Sequence, residues 1–205
     1  MIRVVCFDLG GVLVRITVDM AEAARRAGIE IDRSPGSFLD FRPFIEFQAG
    51  RLSESAYLRE LGALLGVDPA QALAAHNHIL VEPYAGTLEL IEEFEAAQVV
   101  CVCLSNTNAP HWREMRNGGR FPNVSRLTVA VASHEHIMEK PDVAILERFR
   151  ELVGWPDPAE IAFFDDTPVN VEAARQLGWQ AWLIDPSQDT ARQVQSATKS
   201  FGDSR

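Results

Sequence analysis

The opening stretch, Ile2-Arg3-Val4-Val5-Cys6-Phe7-Asp8-Leu9-Gly10-Gly11-Val12-Leu13-Val14, constrains this chain more than any other. A short run so rich in β-branched and aromatic residues reads as a strand buried on both faces, the kind found inside parallel sheets. It is broken by one carboxylate, Asp8, at the strand's C-terminal end. Ligands bind at that end of the strands in open α/β sheets. Gly10 and Gly11 permit a tight turn beside Asp8 and a close approach of backbone to a ligand. Taken alone, the same residues equally suit a plain strand end with a capping aspartate and a glycine turn.

Residues 17–80 hold no strand-like run, and four helical stretches are expected there, at 18–27, 37–48 (interrupted by Pro43), 53–65 and 68–80. Ser53 and Asp68 are N-caps, and Pro69 takes a first helical position. Leu58, Leu61, Leu64 and Leu65 fall at helical spacing, as a small bundle requires. Beyond them, helices at 87–97, 109 or 110 to 115, 142–153 and 169–177 alternate with strands at 99–104, 127–132, 161–164 and 180–184. That alternation implies a parallel sheet joined by right-handed crossovers. The expected organisation is an α/β core from residues 1–15 and 84–205, with residues 16–83 inserted as a helical unit and a polar, frayed tail from about residue 196.

A chain of 205 residues suits one domain with an insertion and a sizeable core. Its net charge of −10 speaks against nucleic acid or an anionic membrane as the main partner. An anionic ligand therefore needs a local positive centre, a lysine or a metal ion. No stretch is long and apolar enough to span a bilayer, and the start runs directly into a strand without a cleavable signal pattern. Cys6, Cys101 and Cys103 all lie in apolar runs, so buried free thiols in a reducing, cytoplasmic setting are expected. Cys101-Val102-Cys103 on a strand lacks the geometry of a Cys-x-x-Cys redox or zinc pair.

Parallel strands gather their C-terminal ends on one edge of the sheet. The residues expected there are Asp8, Ser105-Asn106, Asp165-Asp166 and Lys140, the last just before Pro141 at a helix start. Each alone has an ordinary explanation as a cap or a solvated charge; their grouping does not. In order, Phe-Asp-Leu-Gly-Gly-Val-Leu, Leu-Ser-Asn-Thr-Asn, Glu-Lys-Pro-Asp and Phe-Phe-Asp-Asp-Thr-Pro-Val-Asn-Val-Glu-Ala-Ala resemble the four motifs of the haloacid dehalogenase superfamily, over nearly the whole chain. The Ser-Asn-Thr-Asn and Phe-Phe-Asp-Asp segments are most similar to the branch containing the bacterial α-glucose-1-phosphate phosphatases.

The resemblance implies a Rossmann-like core with a mobile helical cap after the first motif. It makes Asp8 the nucleophile that forms an aspartyl-phosphate. Asp166 becomes a direct ligand of Mg²⁺, Asp165 its second or water-mediated partner, and the Gly10 backbone carbonyl the remaining protein ligand. Ser105 and the Asn106 backbone N–H become donors to phosphate oxygens, and Lys140 balances charge between nucleophile and phosphate. The physical need is plain, because a phosphoryl dianion repels a carboxylate and Mg²⁺ offsets that repulsion. The implied activity is Mg²⁺-dependent hydrolysis of a small phosphorylated metabolite, with a sugar phosphate as the expected substrate.

One departure stands out. Family phosphatases carry Asp-x-Asp in the first motif, the second Asp protonating the leaving oxygen, and here that position is Gly10. General acid–base help is worth about 10²–10⁴-fold. A sugar anomeric phosphate has a less basic leaving oxygen and needs less of it; alternatively His111, a short turn after Ser-Asn-Thr-Asn, substitutes as a substrate-facing group. The departure also keeps open a member that binds a ligand or partner without turnover. A 2-haloacid dehalogenase, in which the same Asp attacks carbon without metal, is opposed by the Asp165-Asp166 pair.

Four further features are weighed on the same terms. Arg51, in Gly50-Arg51-Leu52-Ser53, matches the position of the family's specificity loop and is a candidate substrate contact, with Arg15 a weaker one. His134-Glu135-His136 is placed in a loop leading to Lys140 and lacks a third metal ligand. His76 and His78, two apart on a helix, face different ways and are read as solvated.

Overall fold

The opening run forms strand β1 (Val4–Phe7), which lies at the centre of a five-stranded parallel sheet in the computed structural model; residues 1–32 and 35–199 are described. A short strand β2 (Val14–Ile16) then leads into helices α1 (Met20–Arg26), α2 (Arg42–Gln48), α3 (Glu54–Leu65) and α4 (Pro69–Asn77). Strand β3 (Leu80–Pro83) pairs antiparallel with β2 and returns the chain to the core. The core continues as α5 (Thr87–Ala96), β4 (Val100–Ser105), α6 (Ala109–Arg116), α7 (Pro122–Ser125), β5 (Val129–Ala132) and α8 (Ser133–His136). It closes with α9 (Val143–Leu152), β6 (Ile161–Asp165), α10 (Pro168–Gln176), β7 (Gln180–Leu183) and α11 (Thr190–Thr198).

Three expectations need correction. The fourth helix does not run to residue 80, because α4 ends at Asn77 and Leu80 already belongs to β3. The stretch expected as one helix over 37–48 is split, and its first turn, Phe38–Asp40, is a 3₁₀ turn. The break precedes Pro43, which sits in the first turn of α2 where its missing N–H costs nothing. The tail expected to fray from residue 196 stays helical to Thr198, and residues 200–205 lie outside the described part.

The sheet order is β5-β4-β1-β6-β7. Alternation along β1 sends Val5 and Phe7 into one apolar layer, with Leu90, Met115 and Val194, and sends Val4 and Cys6 into the opposite layer, with Leu146 and Phe149. Both faces are thus covered by helices, as a parallel sheet requires. Residues between Met20 and Ile79 form a third apolar cluster of their own around Phe38, Phe44, Phe47, Tyr57 and Leu61. Burying each such side chain is worth about 1.5–3 kcal/mol, enough for this unit to hold a defined shape above the sheet.

Candidate active site

From β1 the chain goes to β4 on one side and later to β6 on the other. The crossovers therefore part at β1, and the crevice they leave opens beyond its C-terminal end. Asp8 follows β1, Ser105 ends β4, Asp165 ends β6, and Lys140 arrives from the segment after β5 and α8. Carboxylate oxygens of Asp8, Asp165 and Asp166 lie within 4.8 Å of one another. The Lys140 Nζ sits 2.6 Å from Asp165 Oδ2 and 3.0 Å from Asp8 Oδ1, with its side chain almost wholly buried.

Each carboxylate is held differently. Asp165 is saturated: it accepts from Lys140, from the Thr167 backbone N–H at 2.8 Å and from Asn170 Nδ2 at 3.0 and 3.2 Å. Asp8 Oδ1 accepts from Leu9 N–H at 2.7 Å and from Lys140, whereas no described residue bonds its Oδ2. Asp166 Oδ2 lies against Gly11, where a Cβ would collide with it. Gly11 also has φ +77, so both its backbone and its neighbour demand glycine.

This crowd is electrostatically incomplete. Burial, with Asp165 and Asp166 adding to it, pushes the Asp8 carboxyl up to about 7 despite the opposing pull of Lys140. Burial and Asp165 likewise raise Asp166. For Lys140, burial works against the charge, and Asp165 and Asp8 outweigh it, so the ammonium is retained. Three oxygen-donor carboxylates against one ammonium suit a hard divalent cation, and the all-oxygen donor set suits Mg²⁺.

The cavity above these groups measures about 590 Å³, within the usual range for a ligand site. Its floor is Asp8, Gly10, Ser105, Asn106, Lys140 and Asp166. Ser105 is buried, lines this cavity, and has no hydrogen-bond partner for its hydroxyl among the described residues. The Asn106 side chain is spent on the Lys140 backbone, accepting from its N–H at 2.8 Å and donating to its carbonyl at 2.9 Å. It fixes the lysine segment. The roof comes from residues 16–48, namely Ile16, Val18, Leu39, Ile45 and Gln48.

Sequence comparison matches residues 2–178 to the haloacid dehalogenase-like hydrolase family. The chain belongs to that family. A predicted hydrolase of the same kind from Porphyromonas gingivalis superposes with a TM-score of 0.78 at 27% identity, over 99% of each chain. A family enzyme from Bacteroides thetaiotaomicron, solved as a complex with magnesium and inorganic phosphate, gives a TM-score of 0.74 at 25% identity over 92% of this chain and 97% of that one. The L-2-haloacid dehalogenase of Xanthobacter autotrophicus, with chloropropionic acid covalently bound, shares the fold at a TM-score of 0.62 and 18% identity, over 88% and 76% of the two chains.

In this haloacid dehalogenase-like hydrolase the remaining candidates stand apart from the carboxylates. Arg51 does not line the cavity; its guanidinium bonds Glu46 at 2.8 Å and Glu139 at 2.9 Å, tying the inserted unit to the core beside Lys140. Arg15 pairs with Glu82 across the β2–β3 ribbon at 3.3 Å. His134 and His136 are on the single helical turn α8, not in an open loop. That turn seats the inserted unit: Gly50 packs so closely that a Cβ would meet the His134 carbonyl at 2.6 Å, and Ser133 Oγ donates to Gln48 O at 2.6 Å.

His76 is the clearest correction. It is fully buried, not solvated, and its ring stacks on His111 at 4.0 Å between centroids and 4° between planes. His76 Nε2 donates to Asn108 Oδ1 at 3.0 Å, so its Nδ1 accepts from the Tyr57 hydroxyl at 2.9 Å. His111 Nε2 donates to the His76 carbonyl at 2.9 Å, and its Nδ1 accepts from Asn108 Nδ2 at 3.2 Å. Both rings are neutral, and His111 has no nitrogen left for a substrate. Burial lowers the His111 pKa to about 4 and lowers His76 as well.

Proposed function

We propose that the chain is a Mg²⁺-dependent phosphomonoesterase that passes a phosphoryl group through Asp8. The observation that carries this reading is the convergence of Asp8, Asp165 and Asp166 within 4.8 Å beside a buried lysine. Asp8, Asp166 and the Gly10 carbonyl would hold the cation, which would supply charge neutralisation and alignment for the phosphoryl group. Asp8 attacks through Oδ2, the oxygen without a protein partner. Lys140 keeps Oδ1 in place and carries positive charge toward the phosphoryl oxygens, and Asp165 positions Lys140. The Ser105 hydroxyl and the Asn106 backbone N–H donate to those oxygens. Residues 16–83 act as the cap that shields the reaction from water.

The magnesium and phosphate complex of the Bacteroides thetaiotaomicron enzyme supports the same chemistry. A dehalogenase needs no crowd of carboxylates for a cation, and the dehalogenase likeness at 18% identity extends to the fold alone. The substrate is a small phosphorylated metabolite; for a sugar phosphate, the cap's lining offers only Gln48 to read hydroxyls. Three free, buried thiols support a cytoplasmic setting. The test is phosphate release from an aryl phosphate: activity that requires Mg²⁺ and is lost in Asp8→Asn is expected. A folded protein that binds Mg²⁺ and turns over no phosphoester would instead favour a binding-only role.

A further inference from the structure

We infer that the leaving group this enzyme accepts is apolar and weakly basic, which makes an aryl phosphate its substrate class. The inference rests on the phosphoryl-transfer reading above and adds what leaves from phosphorus. Two independent observations on the roof of the cavity carry it.

The first is the absence of a proton donor facing the leaving oxygen among the described residues. Gly10 does not have a left-handed backbone, so its conformation does not demand glycine. A Cβ there would meet Ile16 Cδ1 at 3.1 Å, so the nearest side chain beside Gly10 is hydrocarbon and offers no proton. The Ser105 hydroxyl, which has no protein partner among the described residues, is assigned above to a phosphate oxygen and Asp166 to the cation; the other candidates lining the cavity are bonded within the protein. The Tyr84 hydroxyl donates to the Pro186 carbonyl at 2.9 Å, the Glu139 carboxylate is taken by Arg51 at 2.9 Å, and Lys140 is locked between Asp165 and Asp8. The deeper end of the crevice reaches His111, whose two nitrogens are both bonded within the protein. With these roles assigned, the leaving oxygen departs without a proton from the enzyme.

The second is the wall itself. Ile16, Val18, Leu39 and Ile45 line the roof, and Gln48, the cap's single polar contribution among the described lining, donates to the Asn106 carbonyl at 3.3 Å. Ile16 and Leu39 remain 37% and 57% exposed, large apolar side chains left facing the cavity mouth. Burying them against a flat hydrocarbon is favourable; burying them against a sugar would strip hydroxyls of water without giving partners in return.

The chemistry balances without an acid. The bond from Asp8 Oδ2 to phosphorus forms as the bond from phosphorus to the aryl oxygen breaks. The electron pair leaves on the aryloxide, whose ring delocalises it, and solvent protonates it afterwards. Water then attacks the phosphorus of the aspartyl-phosphate, its oxygen joining phosphate and its proton going to a phosphate oxygen, while Asp8 leaves as a carboxylate, itself a weak base.

The experiment is kcat/KM for phosphate release, with Mg²⁺, from naphthyl phosphate and a series of substituted phenyl phosphates, beside hexose and glycerol phosphates. Naphthyl and phenyl phosphates are expected to exceed the hexose and glycerol phosphates by about 100-fold, the lower range of what an acid would supply. Within the phenyl series the rate is expected to fall steeply as the phenol becomes more basic. Equal rates on hexose phosphates, or no dependence on phenol basicity, overturn the inference while leaving the phosphatase reading standing. No phosphate release above the Asp8→Asn background from any of them overturns both. Leu39→Asn, at an exposed position that folding does not need, is expected to cost about tenfold in kcat/KM on naphthyl phosphate, mostly through KM. No change there contradicts the apolar wall.

Discussion

The end of β4 and the turn after it serve two polar clusters. Ser105, closing the strand, and Asn106 belong to the carboxylate crowd of Asp8, Asp165 and Asp166 with Lys140. The last residue of the turn, Asn108, belongs to the histidine pair of His76 and His111, with Tyr57 behind. Both clusters gather titratable groups in largely buried positions, yet they are built to opposite rules. In the histidine cluster each ring nitrogen has one partner, so the rings stay neutral. In the carboxylate cluster three acids share one ammonium, and Asp8 is pushed up to about 7, mainly by burial. Burial alone therefore does not mark a functional group; an unfilled demand for a partner does. One cluster ties residues 57 and 76 to residues 108 and 111, and the other presents oxygen donors suited to a divalent cation.

The contrast can be broken at several points. Asp8→Asn removes the proposed nucleophile and is expected to lower kcat on the order of 10⁵-fold, read by phosphate release from phenyl phosphate. A variant that retains a tenth of the activity would show that Asp8 does not accept the phosphoryl group. Lys140→Met comes next. It takes away the charge proposed to face phosphate and leaves Asp165 buried without its ion pair, so about a 10³-fold loss in kcat with a lowered Tm is expected. A change confined to Tm would make Lys140 structural only.

Gly11→Ala sharpens the metal side, because its Cβ would collide with the Asp166 carboxylate and its φ is strained. The expectation is a loss of Mg²⁺ affinity of about 10–100-fold by calorimetry, the size of effect seen when a ligand's support is disturbed. Unchanged affinity would separate Asp166 from the cation.

At the histidine cluster the loss appears in stability. His111→Leu strands Asn108 Nδ2 and the His76 carbonyl, at a cost of about 2 kcal/mol in urea unfolding. The pH dependence has a definite sign. His111 is lowered to about 4 from the ordinary 6.5, so between those values the unfolded chain binds more protons than the folded one. Its contribution is complete above pH 6.5 and declines as pH falls toward 4, by about 3 kcal/mol, with His76 adding in the same direction. A flat profile from pH 7 to about 5, or one that the His111→Leu variant shares unchanged, would contradict the neutral pair.

Much of the carboxylate site was legible in the sequence because parallel strands announce themselves. Runs such as Val4–Phe7 and Ile161–Asp165 are buried on both faces, so a charged residue at their ends has few reasons to be there. The topology then brings Asp8, Ser105, Lys140 and Asp165 together on one edge. The histidine cluster was not legible. The helix bearing His76 is rich in alanine and shows no clear apolar face, and its partner Asn108 lies 32 residues away on another element. Strand β3 was hidden for a local reason, since Ile79-Leu80-Val81 continues an apolar helical pattern as well as it starts a strand. Gly11 offered a signal that was only half read. Its turn was expected, but its contact with Asp166, 155 positions on in the sequence, is tertiary.

The most direct test is mass analysis of protein quenched in acid during turnover of an aryl phosphate. With Mg²⁺ present, the peptide containing Asp8 should carry the mass of one phosphoryl group, and the label should vanish on chelation and in Asp8→Asn. Phosphate released at full rate with that peptide unmodified, or with the label on any other residue, would contradict phosphoryl transfer through Asp8.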